Sequence, residues 1–210
     1  MRVVQIAGFL GCGKTSAMMA LSNILSGDHH KKVALVVNEI GEIPVDGEVV
    51  EKCGLRVKTL GGGCICCEIA FNFADTIVML YKIFNPDILL AEPTGVAVPH
   101  RVKSATLMGG RDAEVSLGPA VVLFDAIRPE ELLSEDMLGT LVKRQLKDAD
   151  IIAISKVDAV DEEQIRDCEE KTREVNPEAA LLRLSCIRGD GLEELAKLII
   201  EPKEYPLYPE

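Results

Sequence analysis

Residues Gly8-Phe9-Leu10-Gly11-Cys12-Gly13-Lys14-Thr15 fit the spacing G-x-x-x-x-G-K-[ST], and they join an apolar run, Val3–Ala7, to a stretch with helical periodicity. Strand, glycine loop and helix in that order are the context a phosphate-binding loop requires. Gly8, Gly11 and Gly13 let the backbone curl so that successive N–H groups point at one anion. The positive end of the following helix adds to that field. In this arrangement Lys14 neutralises β- and γ-phosphate oxygens and the Thr15 hydroxyl ligates Mg²⁺, with Ser16 beside it in the nucleotide-contacting set. Cys12 reads as a small filler inside the loop. The chain is therefore expected to be a nucleoside triphosphatase.

The rest of the pattern agrees with an α/β layout. Apolar runs at Val3–Ala7, Val33–Val37, Ile88–Ala91, Ala120–Asp125, Ile151–Ser155 and Leu181–Ser185 read as strands, with a shorter one at Arg56–Leu60. They are continuous rather than alternating, as in a parallel sheet covered on both faces. Helical patterns lie between them at Lys14–Leu25, Ala70–Phe84, Val98–Met108, Asp136–Lys147, Glu162–Val175 and Leu192–Ile200. The alternation predicts a doubly wound, mainly parallel sheet flanked by helices. With 210 residues there is room for one such domain, residues 1–200, and a proline-rich tail, 201–210, expected outside the core or docked on a partner.

Charge narrows the partners. A net charge of −11 disfavours nucleic acid and anionic membranes. No apolar run approaches the ~20 residues of a membrane span. The opening residues lack a signal-peptide pattern, so a cytoplasmic location is expected. Seven cysteines, three of them in Cys64-Ile65-Cys66-Cys67, argue for free thiols or metal ligands rather than a disulfide framework.

Four further segments carry chemistry. Ser155-Lys156-Val157-Asp158 resembles the N-K-x-D guanine-reading motif with serine in the asparagine position. Asp158 can accept from guanine N1–H and N2–H₂, a donor pair adenine lacks, and the Lys156 stem can lie along the base. The exchange of asparagine for Ser155 is expected to remove a brace on the loop. Ser185 and Cys186, ahead of Gly189-Asp190-Gly191, sit where a backbone N–H could meet guanine O6. Glu92, in Ile88-Leu89-Leu90-Ala91-Glu92-Pro93-Thr94-Gly95, is placed to hold Mg²⁺ through water, and the Gly95 N–H to approach the γ-phosphate. The acidic loop Asn38–Gly47 follows a strand; Glu39 and Asp46 are its candidates for Mg²⁺ or water positioning. Asp125, at a strand end, either faces the nucleotide or caps a turn.

The thiol cluster is the most distinctive element. Thiolates suit Zn²⁺, Cu⁺ and, in some sites, Co²⁺ or Ni²⁺. Convergence of Cys64, Cys66 and Cys67 on one ion is expected to need a bent backbone, which Gly61-Gly62-Gly63 can supply. A fourth ligand is open: water, Glu39, Glu42 or a residue of a second chain.

Gly8–Thr15, Asn38-Glu39-Ile40-Gly41, Gly63–Cys67, Glu92-Pro93-Thr94-Gly95 and Ser155–Asp158 together resemble the phosphate-loop GTPases of the CobW, HypB and UreG types, most of all the CobW-type metallochaperones. The resemblance implies the SIMIBI-type P-loop fold and GTP hydrolysis coupled to delivery of Zn, Co or Ni. It also implies a nucleotide-dependent homodimer and a client metalloprotein or cofactor enzyme. Ser155 departs from the family pattern, and the C-terminal domain typical of CobW-type proteins is not seen. A GTPase that remodels a metallo- or corrinoid enzyme without carrying metal is the alternative.

Overall fold

A computed structural model describes residues 1–37, 49–52, 55–60, 64–68, 73–92, 99–109 and 114–205; for 49–52, 55–60, 64–68, 100, 101 and 109 it describes the backbone. The strands are β1 (Arg2–Gly8), β2 (Val33–Val37), β3 (Val49–Lys52), β4 (Leu55–Leu60), β5 (Cys64–Glu68), β6 (Ile88–Glu92), β7 (Ser116–Asp125), β8 (Ile151–Ser155) and β9 (Ala180–Leu184). The helices are α1 (Lys14–Gly27), α2 (Phe73–Phe84), α3 (Pro99–Gly109), α4 (Pro129–Leu132), α5 (Met137–Lys147), α6 (Glu162–Val175) and α7 (Leu192–Ile200). One sheet holds the strands in the order β3-β4-β5-β2-β6-β1-β7-β8-β9. From β5 to β9 neighbours run parallel. β4 is antiparallel to β5, and β3 to β4.

The continuous apolar runs are explained by cover on both faces. β2 and β8 are buried along their whole length. On one face Val4, Ile6, Leu35, Leu90 and Val121 pack with Met18, Leu21 and Leu25 of α1 and Leu195 and Ile199 of α7. The opposite face carries two separate clusters, one on α5 and α6 around Phe124 and Leu146 and one on α2 around Leu80 and Leu89. On α3, Lys103 is fully buried and its Nζ lies 2.9 Å from Asp150 Oδ2, which also accepts from the Ala120 N–H at 2.7 Å.

Chain direction fixes where a ligand can enter. From β1 the chain steps to β2 on one side, and from β6 it later crosses β1 to reach β7. The reversal lies at β1, and in open α/β sheets the crevice at the strands' carboxyl ends at such a point receives the ligand.

Several boundaries differ from the sequence reading. β7 starts four residues before Ala120 and contains Gly118-Pro119. The pairing Val3↔Leu117, Gln5↔Ala120 includes a register shift, a bulge that absorbs a residue with no N–H to donate. Gly118 is needed there because a Cβ would meet Val4 Cγ2 at 2.6 Å. Asp136 caps α5 by accepting from the Gly139 N–H instead of forming its first residue. Cys64–Glu68 is strand, paired to β2 and to β4, an element the sequence reading did not foresee; Gly61–Gly63, expected to supply a bend, lie outside the described residues. After α7 the chain stays on the domain as far as Tyr205, which is buried, with the Arg2 guanidinium over its ring and Arg2 Nη2 donating to the Lys203 carbonyl at 2.8 Å.

Candidate functional site

The glycine loop leaves β1 with Gly8, Gly11 and Gly13 all at positive φ, the last as the left-handed N-cap of α1. Gly8 is the most constrained: a Cβ there would stand 2.5 Å from the Leu123 carbonyl oxygen and 2.8 Å from Cys12 Sγ. The Cys12 thiol fills the space beneath the loop, fully buried, and burial pushes its pKa up to about 11 against the opposing pull of Lys14. It is a packing group and not a nucleophile at neutral pH.

Lys14 is folded inward, with Nζ 3.3 Å from the Phe9 carbonyl and 3.8 Å from Glu92 Oε1. Thr15 Oγ1 donates to Glu92 Oε2 at 2.9 Å. Hydroxyl, carboxylate and ammonium therefore meet where β1 and β6 end. A hydroxyl beside a carboxylate is a hard oxygen donor set, which suits Mg²⁺. Ser16 is exposed on the first turn of α1.

Across the crevice, Ser155 supplies a contact that the sequence reading denied it. Its hydroxyl is buried, 2.9 Å from the Cys12 carbonyl and 3.3 Å from the Phe124 carbonyl. The expected loss of a loop brace is corrected: a shorter side chain reaches the phosphate loop because β8 passes close beneath it.

Lys156 adopts a left-handed conformation with φ 61°, and its Nζ lies 2.7 Å from Asp125 Oδ2. Asp158 Oδ1 accepts from Ser185 Oγ at 2.5 Å, and Ser185 Oγ accepts from the Arg188 N–H at 3.0 Å. The Ser185 hydrogen bond is the main reason the Asp158 carboxyl is held below the usual carboxylate range. Burial pushes the half-buried Cys186 thiol up. The turn carrying Ser185 and Cys186 is closed by Gly189 N donating to the Ser185 carbonyl at 2.9 Å. Gly191 tucks against β9, where a Cβ would meet the Arg183 carbonyl at 2.0 Å.

These contacts link the Gly8–Thr15 loop to Glu92 and to Ser155, and Asp158 to Ser185. Glu39, Asp46 and Gly95 lie outside the described residues. Cys64, Cys66 and Cys67 are placed by backbone alone, on β5. Two further residues belong to the site. Asp125 is buried at the end of β7; beside Lys156 it also holds Arg128 Nε at 3.3 Å, and it accepts from the Ile127 N–H at 3.1 Å. Arg128 Nη2 donates to the Leu10 carbonyl, and its guanidinium lies 5.9 Å from the Phe9 ring centroid. The sequence placed Asp125 at a strand end and left its role open. It gave no signal for Arg128, whose partner is 118 residues away.

Comparison with known proteins follows the same lines. The family profile described as CobW/HypB/UreG, nucleotide-binding domain, matches residues 2–183. The zinc chaperone CobW of Sinorhizobium sp is 32% identical over 182 residues, covering 74% of this chain and 51% of that protein. The zinc chaperone YeiR of Escherichia coli strain K12 is 33% identical over 158 residues, covering 75% and 47%. The crystal structure of the Zn(II)-bound YjiA GTPase from E. coli aligns with a TM-score of 0.67 at 28% identity, covering 86% of this chain and 56% of that one. The hydrogenase maturation factor HypB from Archaeoglobus fulgidus shares the fold, with a TM-score of 0.58 at 19% identity over 94% of this chain and 87% of that one. The chain spans about half the length of the curated relatives it matches.

Proposed function

Because this chain belongs to the CobW/HypB/UreG family of P-loop GTPases, we propose that it couples GTP binding and hydrolysis to the capture and release of a transition metal by Cys64, Cys66 and Cys67. The zinc chaperones among its relatives make Zn²⁺ the first cargo to test, ahead of Co²⁺ and Ni²⁺. Gly8, Gly11, Cys12, Gly13, Lys14, Thr15 and Ser16 hold the phosphates. Thr15 and Glu92 would hold Mg²⁺, which would supply charge neutralisation to the phosphates. Ser155, Lys156, Asp158, Ser185 and Cys186 hold the guanine. Glu39, Asp46 and Gly95 are the candidates for γ-phosphate and water positioning.

One observation supports the coupling. Val36 of β2 is level with Cys67 of β5 on one side and with Ala91 of β6 on the other; Val37 is level with Glu68 and with Glu92. Two inter-strand spacings of about 4.8 Å put the backbones of Cys67 and Ala91 about 10 Å apart. The chain leaves β2 between the thiol strand and the Glu92 strand, carrying Glu39 and Asp46 immediately onward. The end of β2, from which the chain runs on to Glu39 and Asp46, is thus level with Glu92 on one side and one residue past Cys67 on the other. Glu39, Glu42, water or a second chain supplies the fourth zinc ligand. Delivery to a client metalloprotein, from a nucleotide-dependent homodimer, completes the reading.

Calorimetric titration of Zn²⁺ into reduced protein, with GDP and then with a non-hydrolysable GTP analogue, tests it. A coupling of about 1–3 kcal/mol separates the two zinc affinities by roughly 5- to 150-fold, and zinc must tighten the analogue by the same factor. Equal zinc affinities in both nucleotide states would sink the coupling, and no bound metal by elemental analysis in either state would leave a GTPase that remodels an enzyme without carrying metal. Cys66→Ser should weaken zinc binding and spare GDP; loss of GDP binding would make the cluster structural.

A further inference from the structure

Two cationic side chains near the nucleotide crevice converge on one buried carboxylate oxygen. Asp125 Oδ2 is 2.7 Å from Lys156 Nζ and 3.3 Å from Arg128 Nε, and the carboxylate is 1% exposed. Lys156 belongs to the loop that presents Asp158, two residues on, to the base. Arg128 belongs to the turn after β7, and its other end grips the apex of the phosphate loop through the Leu10 carbonyl, with the guanidinium against the Phe9 ring. The Arg128 side also limits the loop from above: a Cβ on Gly11 would meet Arg128 Nη2 at 3.2 Å.

We propose that Asp125 is a positioning residue that ties the base-reading loop to the phosphate loop through Lys156 and Arg128, so that neither loop is set independently of the other. The inference rests on the guanine-reading assignment of Asp158 made above. Its physical basis is geometric. A carboxylate inside the fold is a fixed anchor; the two cations are each about one-third exposed and hang on flexible stems. Fixing both stems on one anchor sets the distance between the Lys156 backbone and Leu10. Without the anchor each stem relaxes toward solvent. Arg128 then loses the geometry for Leu10, although nothing between Arg128 and the nucleotide has been altered. Ile127 N–H on Oδ1 keeps the carboxylate plane from rotating, so both cations are offered the same oxygen.

A mutant cycle read by nucleotide binding separates this from simple local support. Fluorescent GDP and ADP analogues would be titrated against the whole chain and against Arg128→Met, Lys156→Met and the double variant, first with Asp125 present and then in Asp125→Asn. Asn keeps the shape and an acceptor for the Ile127 N–H. Asp125→Asn should speed GDP release by about tenfold, the size expected for weakened hydrogen bonds to charged groups. With Asp125 present, the loss in the double variant should depart from the product of the two single losses by about threefold or more, as for residues sharing one partner. In Asp125→Asn that departure should vanish. Losses that multiply in the native background, or a departure that survives Asp125→Asn, overturn the proposal. The methionine variants alter only part-exposed side chains, so the cycle is readable even if Asp125→Asn is too unstable to handle, and multiplicative losses alone would then refute it. A native chain that binds the ADP analogue as tightly as the GDP analogue would sink the guanine assignment, an outcome distinguishable from failure of the relay.

Discussion

Ser155→Ala isolates a single hydroxyl whose role the structure reverses from that suggested by the motif. The hydroxyl has one proton and two carbonyls in reach, Cys12 at 2.9 Å and Phe124 at 3.3 Å, so alanine removes one good hydrogen bond and a weaker alternative. Cys12 is fully buried, and Ser155 is 3% exposed. Water cannot replace the lost donor without entering the core, so the Cys12 carbonyl stays unsatisfied. A net hydrogen bond is worth about 1 kcal/mol, and a stranded buried acceptor costs about 1–3 kcal/mol. With the Phe124 carbonyl already served in the β7–β8 ladder, the expected loss is about 1–2 kcal/mol. In urea, with m near the upper part of about 1–3 kcal/mol/M, the unfolding midpoint should drop by roughly half a molar with m unchanged. The loop that loosens is the one that wraps the phosphates. GDP must reorder it on binding, so affinity should fall by at most the same energy, about 5- to 30-fold. Measured by urea melts and fluorescent-GDP titration, an unchanged midpoint together with unchanged affinity would refute the brace. A lower midpoint with normal affinity would show a bond that supports β8 and leaves the loop alone.

Two further outcomes follow from local electrostatics. Because the Ser185 hydroxyl favours ionised Asp158, the folded carboxyl titrates below the ordinary aspartate value of about 3.9. The stabilisation it gives is present above the unfolded pKa and is lost as pH falls through the folded one. Ser185→Ala should therefore move the carbon-13 carboxyl titration of Asp158 upward and start the acid loss of GDP binding earlier; identical midpoints would discard the hydrogen bond. For Cys12, burial with a pKa near 11 predicts that iodoacetamide at pH 8 leaves it unmodified in the folded chain and labels it after denaturation, read by peptide mass mapping. Labelling as fast as an unstructured cysteine peptide would contradict the packing role.

What the sequence exposed were features encoded within a few neighbouring residues. The runs at 3–7, 33–37 and 151–155 are apolar except for Gln5 and Ser155 because helices cover both faces, and that signal survives without knowledge of the partners. The phosphate loop declares itself because three left-handed positions demand glycine at fixed offsets. The β3–β4 hairpin was legible in principle: Val49–Lys52 and Leu55–Leu60 are separated by two residues, the second of them Gly54. The strand at Cys64–Glu68 was not foreseen because three cysteines in four positions drew the reading to metal chemistry. Ladder pairing to β2 and β4 on its two edges decides that backbone instead. Arg128 and the brace at Ser155 are contacts across more than a hundred residues, set by how close β7 and β8 pass to the loop, and no local pattern records such a distance.

The sheet also restricts how nucleotide state could reach the thiols. β2 stands between β5 and β6, is buried end to end, and is laddered on both sides. A strand held in that way does not slide without breaking two sets of hydrogen bonds and the packing of Leu35 on α1, so the sheet is a poor transmitter of a small displacement at Glu92. Under the proposed coupling, the path would therefore run over the carboxyl ends of the strands. Val37, the last residue of β2, is level with Glu92, which accepts from Thr15, and with Glu68 at the end of the thiol strand. The proposed coupling therefore cannot rest on sliding of β2 within the sheet. On the other side of β1, the role proposed for Asp125 rests on the same principle, a fixed strand-end carboxylate to which Lys156 and Arg128 are tied.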